Sequence, residues 1–435
     1  MDVVVIGGGS AGLITSLILT NKVKIPINVK LIESPTEKII GVGESTVGSF
    51  RADLENIMGI HFHDFIDEVQ PTNKLGLWLS FGSEDFHFSF DNVFEAIEMG
   101  NDFPKPIGFR FRRGNFNHSQ FSKAMIYDKQ AYIPSEDSIY SQGFHMHNDK
   151  FIAFCKKELK NRGVEIIADH ITDIKRDDKG NILSLNDKYH ADLFIDASGF
   201  KSILSEEEWI DYSDALVNDS ALVFTSETEL RPYTKAITMN NGWMWQIDHL
   251  DKRVNGYVYS SKYATEKDIL EELNNEHDYN VKDYKIIHFK TGRKAKHWVN
   301  NVITVGNADM FVEPLESTSL MCIIKCIDDV GYIINLNDKA FNLKEAYNEE
   351  QNEYYDNIRD FILLHFCYNE RKQTKYWQDY NQRRSMLGKF GKKMVNYFTD
   401  NDASLAFTQW TAVCNPFGLN GWYSIMRGLD LRKSF

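Results

Sequence analysis

"DVVVIGGGSAG", residues 2–12, sets three valines and an isoleucine against three consecutive glycines. β-Branched side chains favour extended backbone, and a short continuous apolar run reads as a strand buried on both faces. Gly7, Gly9 and Gly12 then stand at G-x-G-x-x-G spacing, with Ser10 and Ala11 between them. Leu13, Leu17 and Ile18 follow with helical periodicity. In such a strand–turn–helix unit the first glycine permits the tight turn. The second lets a pyrophosphate approach the backbone, and the third lets the helix pack on the strand. A second strand, "INVKLIE" (27–33), ends in Glu33, close to the ~20-residue offset of a ribose-binding acid. The pattern predicts a dinucleotide-binding βαβ unit; a tight βα turn without ligand is the alternative. Residues 1–20 are apolar enough to suggest a leader or membrane span, but they carry Asp2, lack a basic start and are broken by the glycines.

The wider composition fits a soluble globular chain of 435 residues, 43% hydrophobic and 26% charged. The formal charge of −13, from 62 acidic and 49 basic residues, argues against a nucleic-acid partner, which would want a basic stripe. No further segment of membrane length appears, so no membrane partner is expected. The five cysteines (Cys155, Cys322, Cys326, Cys367, Cys414) are scattered and odd in number, as in a reduced cytoplasmic protein. "HFH" (61–63) and "HMH" (145–147) each place two imidazoles on one strand face, but without carboxylates at ligand spacing no metal site is expected. Residues 371–393 are basic and read as a solvated helical face, with docking of a reductase as the sharper alternative.

Three later junctions choose the dinucleotide. "GVGES" (41–45) follows Glu33, "ADLFIDASGFKS" (191–202) ends a strand at Asp196 and Gly199, and "NVITVGNAD" (301–309) ends another at Gly306 and Asn307. Strand-to-glycine junctions spread this widely imply one discontinuous α/β binding domain with insertions. FAD, a long cofactor threading several loops, suits that better than a compact NAD site. Next comes "FVEPLESTSL" (311–320). Pro314 biases Glu313 to extended backbone, and Leu320, Ile323, Ile324 and Ile327 have helical spacing, so a helix starts at Ser317, Thr318 or Ser319. A helix N-terminus beside a flavin is a candidate site for a weakly held anion; an ordinary cap touching the flavin is the alternative.

These segments resemble the flavin-dependent halogenases of the tryptophan-halogenase family. "FVEPLEST" is nearly a family signature, and "GVGESTV", "TNKLGLWLSF" (72–81), "NGWMWQIDH" (241–249), "NGYVYSS" (255–261), "TGRKAKHWVNNVITVGNA" (291–308) and "RDFILLHF…RKQTKYW" (359–377) also resemble family stretches. The likeness runs in order from residue 1 to about 377 and is closest to compact, phage-borne members. It implies a discontinuous Rossmann-like FAD domain over 1–340, with β-rich insertions at about 80–140 and 205–290, and a helical C-terminal part over 341–435. "FTQWTAVCNPFGLNGW" (407–422) would be a shortened substrate lid.

The resemblance further implies that reduced FAD, O2 and a halide yield hypohalous acid, which a lysine presents to a small electron-rich aromatic substrate. Lys74 would be that lysine and Glu316 its acidic companion. Thr318 and Ser319 would hold the halide through backbone N–H groups, and Trp243 and Trp245 would wall the flavin from the substrate. Gly7, Gly9, Ser10, Ala11, Gly12, Glu33, Gly43, Glu44, Ser45, Thr46, Asp196, Gly199, Gly306 and Asn307 would bind FAD. A separate NAD(P)H flavin reductase is expected, in the cytoplasm (the host's if phage-encoded), and a homo-oligomer is left open. Two positions depart from the family: Asp248 replaces a proline, and Ser319 a glycine. An aromatic hydroxylase on the same scaffold and a non-catalytic FAD-binding protein are the alternatives.

Overall fold

The computed structural model describes residues 1–37, 44–90, 120–126, 141–336, 343–400 and 416–431. Its first sheet has six strands in the order Trp298–Val299, Val302–Thr304, Leu193–Asp196, Asp2–Ile6, Asn28–Glu33, Glu165–Ala168. All neighbours are parallel except the edge hairpin Trp298–Val299/Val302–Thr304. The two-residue side-chain period of the central strand divides its apolar residues between two cores. Val3 and Val5 face the helices Ser10–Lys22, Asn148–Asn161 and Ser319–Asn335, while Val4 and Ile6 pack with Ile182, Leu185 and Phe194 on the other side. Every strand that touches the central one ends at the same edge, so widely separated segments deliver their last residues to one crevice.

Above that crevice lies a seven-stranded sheet, ordered Lys285–His288, Ser220–Ser226, Arg253–Tyr259, Gly242–Asp248, Thr234–Met239, Gly76–Ser80, Phe86–Ser89. Only Thr234–Met239 and Gly76–Ser80 pair parallel. Helix Glu266–Asn275 covers one face with Ile269 and Leu273. The other face, with Leu77, Leu79, Trp243 and Val258, packs on the helical C-terminal part, where Tyr355, Phe361, Trp377 and Trp422 are buried. Among the described residues, no helix is long and apolar enough to cross a membrane. The part of the 80–140 insertion between residues 91–119 and 127–140, and the lid residues 407–415, lie outside the described residues.

The departure at Asp248 has a visible cause. Its carboxylate is fully buried and accepts from Arg231 Nε at 2.8 Å and Arg253 Nε at 2.5 Å, while Arg231 N donates to it at 3.1 Å. Burial pushes this acid up, but the two guanidinium groups outweigh it and hold the carboxyl at about 2. Asp248→Asn leaves two guanidinium groups without their carboxylate and should cost ~3–5 kcal/mol of stability in a urea titration. The sign with pH follows from linkage. The carboxylate's contribution is whole above the unfolded value of 3.8 and is lost as pH falls through about 2. The wild type should therefore lose its advantage over Asp248→Asn only in that acid window.

Candidate active site

The crevice is a cavity of about 600 Å3, within the ~300–1,000 Å3 range of small-molecule sites. Gly7, Gly9, Ser10, Ala11, Glu33, Gly199, Gly306 and Asn307 line it from the side of the parallel sheet, Glu44 and Ser45 from a small antiparallel sheet, and Thr234, Trp245, Ile247 and Val258 from the sheet above. The three glycines differ in what surrounds them. Gly7 has φ 126°, and a Cβ there would lie 2.2 Å from Ala197 O. A Cβ on Gly12 would lie 1.9 Å from Gly7 O, so this glycine is where helix and turn touch. A Cβ on Gly9 would meet nothing within 4 Å. Gly9 borders the cavity, so the bare backbone there is reserved for something that enters.

Acidic groups ring the same space. Glu33, at the end of its strand, accepts from Lys156 Nζ at 2.5 Å. Glu44 accepts from Ser10 Oγ at 2.8 Å and Asn148 Nδ2 at 2.6 Å, and burial lifts its pKa. Gly12, Thr46 and Asp196 do not line the cavity but shape what does. Thr46 Oγ1 accepts from Phe144 N at 2.8 Å. Asp196 accepts from Ser198 N at 3.1 Å and Leu204 N at 2.7 Å, holding the turn that presents Gly199. Gly43 lies outside the described residues. The open cradle at Gly9, the acid at Glu33 and a lining drawn from many separate segments fit an extended dinucleotide such as FAD.

Lys74 sits behind the cavity wall. A small antiparallel sheet, Glu44–Ser45, Gly143–Met146, Thr72–Lys74, places Ser45 opposite His145 and Lys74 opposite Gly143. The lysine is 0% exposed, so it is not the solvated charge that a strand-end lysine usually is. Its Nζ donates to Ser317 Oγ at 2.8 Å and lies 5.3 Å from the centre of the Phe90 ring. Burial brings its pKa down to about 7, with the Glu316 carboxylate pulling it partly back up.

Glu316 closes a 3₁₀ turn, Pro314–Glu316, and Ser317 follows at φ 56°, in the left-handed region. This single reversed residue aims Ser317 Oγ at Lys74 and lets helix Ser319–Asn335 start at once. Thr318 is the N-cap and makes no side-chain cap bond, so the first N–H groups of the helix are not satisfied by it. Beside them is a pit of about 10 Å3, lined by Gly306, Asn307, Thr318, Ser319 and Tyr355, about the room one water needs. Glu316 is 2% exposed, and its Oε1 lies 2.9 Å from His365 Nε2, too far off axis for a well-formed hydrogen bond.

The tryptophan pair splits. Trp245 lines the cavity, whereas Trp243 is fully buried and donates from Nε1 to Glu313 Oε2 at 2.7 Å. Glu313 also accepts from Asn218 at 2.7 Å, and burial raises it to about 7. The rings stand 5.9 Å apart at 54°. Sequence reasoning did not single out Thr234, His145, His365 or Glu313 for the site. Each is an ordinary residue of a strand, turn or helix, and only tertiary packing brings it there.

The tryptophan halogenase family model matches residues 2–433. The chain is 27% identical over 479 aligned residues to tryptophan 7-halogenase RebH of Lentzea aerocolonigenes, covering 99% of this chain and 89% of that one. It is 28% identical to tryptophan 6-halogenase ThaL of Streptomyces albogriseolus, with the same two coverages. Among solved structures it superposes on MibH, described as a lathipeptide tryptophan 5-halogenase, with a TM-score of 0.84 at 27% identity over 99% of this chain and 85% of that one. With the family's signature turn, its glycine-rich cleft and a buried lysine in one continuous structure, the chain belongs to the tryptophan halogenase family of flavin-dependent halogenases.

Proposed function

We propose that the chain uses reduced FAD, O2 and chloride, bromide or iodide to halogenate a small electron-rich aromatic compound, with Lys74 as the group that receives the oxidised halogen. The observation that carries this reading is the lysine itself. It is fully buried, its partner is a hydroxyl, and it is held at about 7, so near neutral pH much of it is free amine. Reduced FAD, when bound, supplies the two electrons that with O2 convert halide to hypohalous acid. The amine attacks the halogen, hydroxide leaves with a proton as water, and the haloamine gives its halogen to the ring. Glu316, 2% exposed and close enough to act on the Lys74 charge, accepts the ring proton.

Thr318 and Ser319 hold the halide at the water-sized pit through the first backbone N–H groups of their helix. Trp245 forms the wall between the cavity and the substrate side, and Trp243, its ring 5.9 Å away, is anchored behind it by Glu313. Gly9, Glu33, Gly199 and Gly306, which line the cavity, would hold FAD. A separate NAD(P)H flavin reductase provides it reduced. A cytoplasmic setting suits the four described cysteines, all free and buried.

The test is mass spectrometry of an indole, phenol and pyrrole panel with FAD, a reductase, NADH and each halide in turn. The expected product carries the halogen supplied. A product heavier by one oxygen, formed equally well without halide, would replace this reading by a hydroxylase.

A further inference from the structure

Lys74 is the first member of a line of hydroxyl groups. Its Nζ donates to Ser317 Oγ at 2.8 Å, and Ser317 Oγ donates to Ser45 Oγ at 3.0 Å. Ser45 Oγ and Thr234 Oγ1 are 3.1 Å apart, and Thr234 Oγ1 is 2.8 Å from His145 Nε2. The five residues come from five separate segments; strand pairing sets Ser45 opposite His145 in the sheet that also carries Lys74, and Ser317 and Thr234 reach the row from elsewhere in the fold. Counting donors fixes the direction of the first two links. An ammonium can only donate, and Ser317 passes its single proton to Ser45. The Ser45–Thr234 and Thr234–His145 links can run either way, by rotation of the hydroxyls and choice of imidazole tautomer; with Ser45 and Thr234 donating onward, the row points from Lys74 to His145 Nε2.

We propose that Ser317, Ser45 and Thr234 form a proton wire from Lys74 to His145, which frees the lysine as an amine before the halogen arrives. The inference rests on the reading of Lys74 given above. In the transfer one Nζ–H bond breaks and an O–H bond forms on Ser317. Each hydroxyl hands on its own proton and His145 Nε2–H forms last, so the lysine becomes the free amine and His145 the imidazolium. Ser45, Thr234 and Ser317 all border the cavity, so the wire runs along its wall.

The charges around the far end suit a point of transit. Burial pushes His145 well down, Lys74, His249 and Arg231 press the same way, and Asp248 opposes them. His145 therefore rests neutral, with Nε2 open to accept. Its buried Nδ1 has no partner among the described residues. His249, which acts on it electrostatically, stacks on His147 with centroids 4.1 Å apart, and His147 Nε2 reaches the exposed Asp251 at 2.8 Å. At the near end, Lys74 faces Glu316 and the Phe90 ring.

Thr234→Val keeps the shape of the residue and a side chain suited to its strand, but removes the central hydroxyl. Two measurements test the wire. In flavin-free protein carrying 15N-labelled lysine and histidine, NMR should show Lys74 Nζ protons exchanging with water on the order of tenfold more slowly, or beyond, in the variant. The His145 ring nitrogen signals should shift as Nε2 loses its hydroxyl partner, and Thr234→Ser should restore both signals. In single-turnover assays, Thr234→Val should slow halogenation and move its pH profile upward, and Thr234→Ser should restore both. Wild-type exchange at Lys74 together with an unmoved pH profile overturns the wire. If Lys74→Ala still halogenates, the lysine reading fails instead, and the exchange measurement decides the wire on its own.

Discussion

Replacing Lys74 by alanine removes halogenated product, an expected loss on the order of 10²–10⁴-fold, while FAD binding and NADH-driven oxygen consumption stay near wild type. The separation follows from position. Gly9, Glu33 and Gly199 line the cavity, whereas Lys74 is fully buried behind its wall and meets it through Ser317. Lys74→Met fills nearly the same volume and should fail equally, which excludes loss of packing as the cause. Lys74→Arg should also fail, because a guanidinium stays protonated and is a poor amine nucleophile. Glu316→Gln keeps shape and loses charge, so it should slow product more than oxygen uptake. Oxygen consumption and product mass are read on one sample. Wild-type product from Lys74→Ala would reduce this lysine to a buried structural charge, and the proposed halogen transfer with it.

The second large effect is at Gly9. Gly9→Val should weaken FAD binding by roughly 10²-fold or more, about 3 kcal/mol, with the fold intact. Its backbone, φ −83° and ψ −177°, suits any residue, and a Cβ there would meet no protein atom within 4 Å. The added side chain therefore collides only with what occupies the cavity. Gly12→Ala is the contrast: a Cβ 1.9 Å from Gly7 O must push helix from turn, so it should lower the melting temperature as well. Flavin fluorescence titration and thermal unfolding on both variants separate the two roles. Undiminished FAD affinity in a folded Gly9→Val protein would move the cofactor away from this turn.

The parts of this structure that local chemistry dictates were legible in the sequence. Valine-rich residues 2–6 form the central strand, the glycine spacing forms the turn, and Pro314 leads to a helix that begins at Ser319. The lining residues Gly9, Glu33, Gly199 and Gly306 were legible too, because each sits at the end of a strand whose pattern marks it. The residues that pack around Glu316 and Ser45 were not. His365 lies on helix Leu343–Cys367 and Thr234 at the start of a strand, and neither position differs from its neighbours until the chain is folded. The burial of Lys74 was likewise invisible, since a lysine between Asn73 and Leu75 has no local sign of depth. Asp248 looked like a simple loss of proline, and its two arginine partners come from positions 231 and 253.

The order of the six-stranded sheet also sets a clock for biosynthesis. Strand Asp2–Ile6 takes Asn28–Glu33 on one side early, but its other neighbour, Leu193–Asp196, is itself flanked by Val302–Thr304. At the usual ~5–20 residues per second, a ribosome needs roughly 15–60 s to deliver those ~300 residues. Through that interval the nascent chain holds out an apolar strand edge with no partner, the kind of surface on which chains associate wrongly. Yield from a heterologous host should therefore respond to translation speed and to chaperone supply more than to the stability of the finished enzyme.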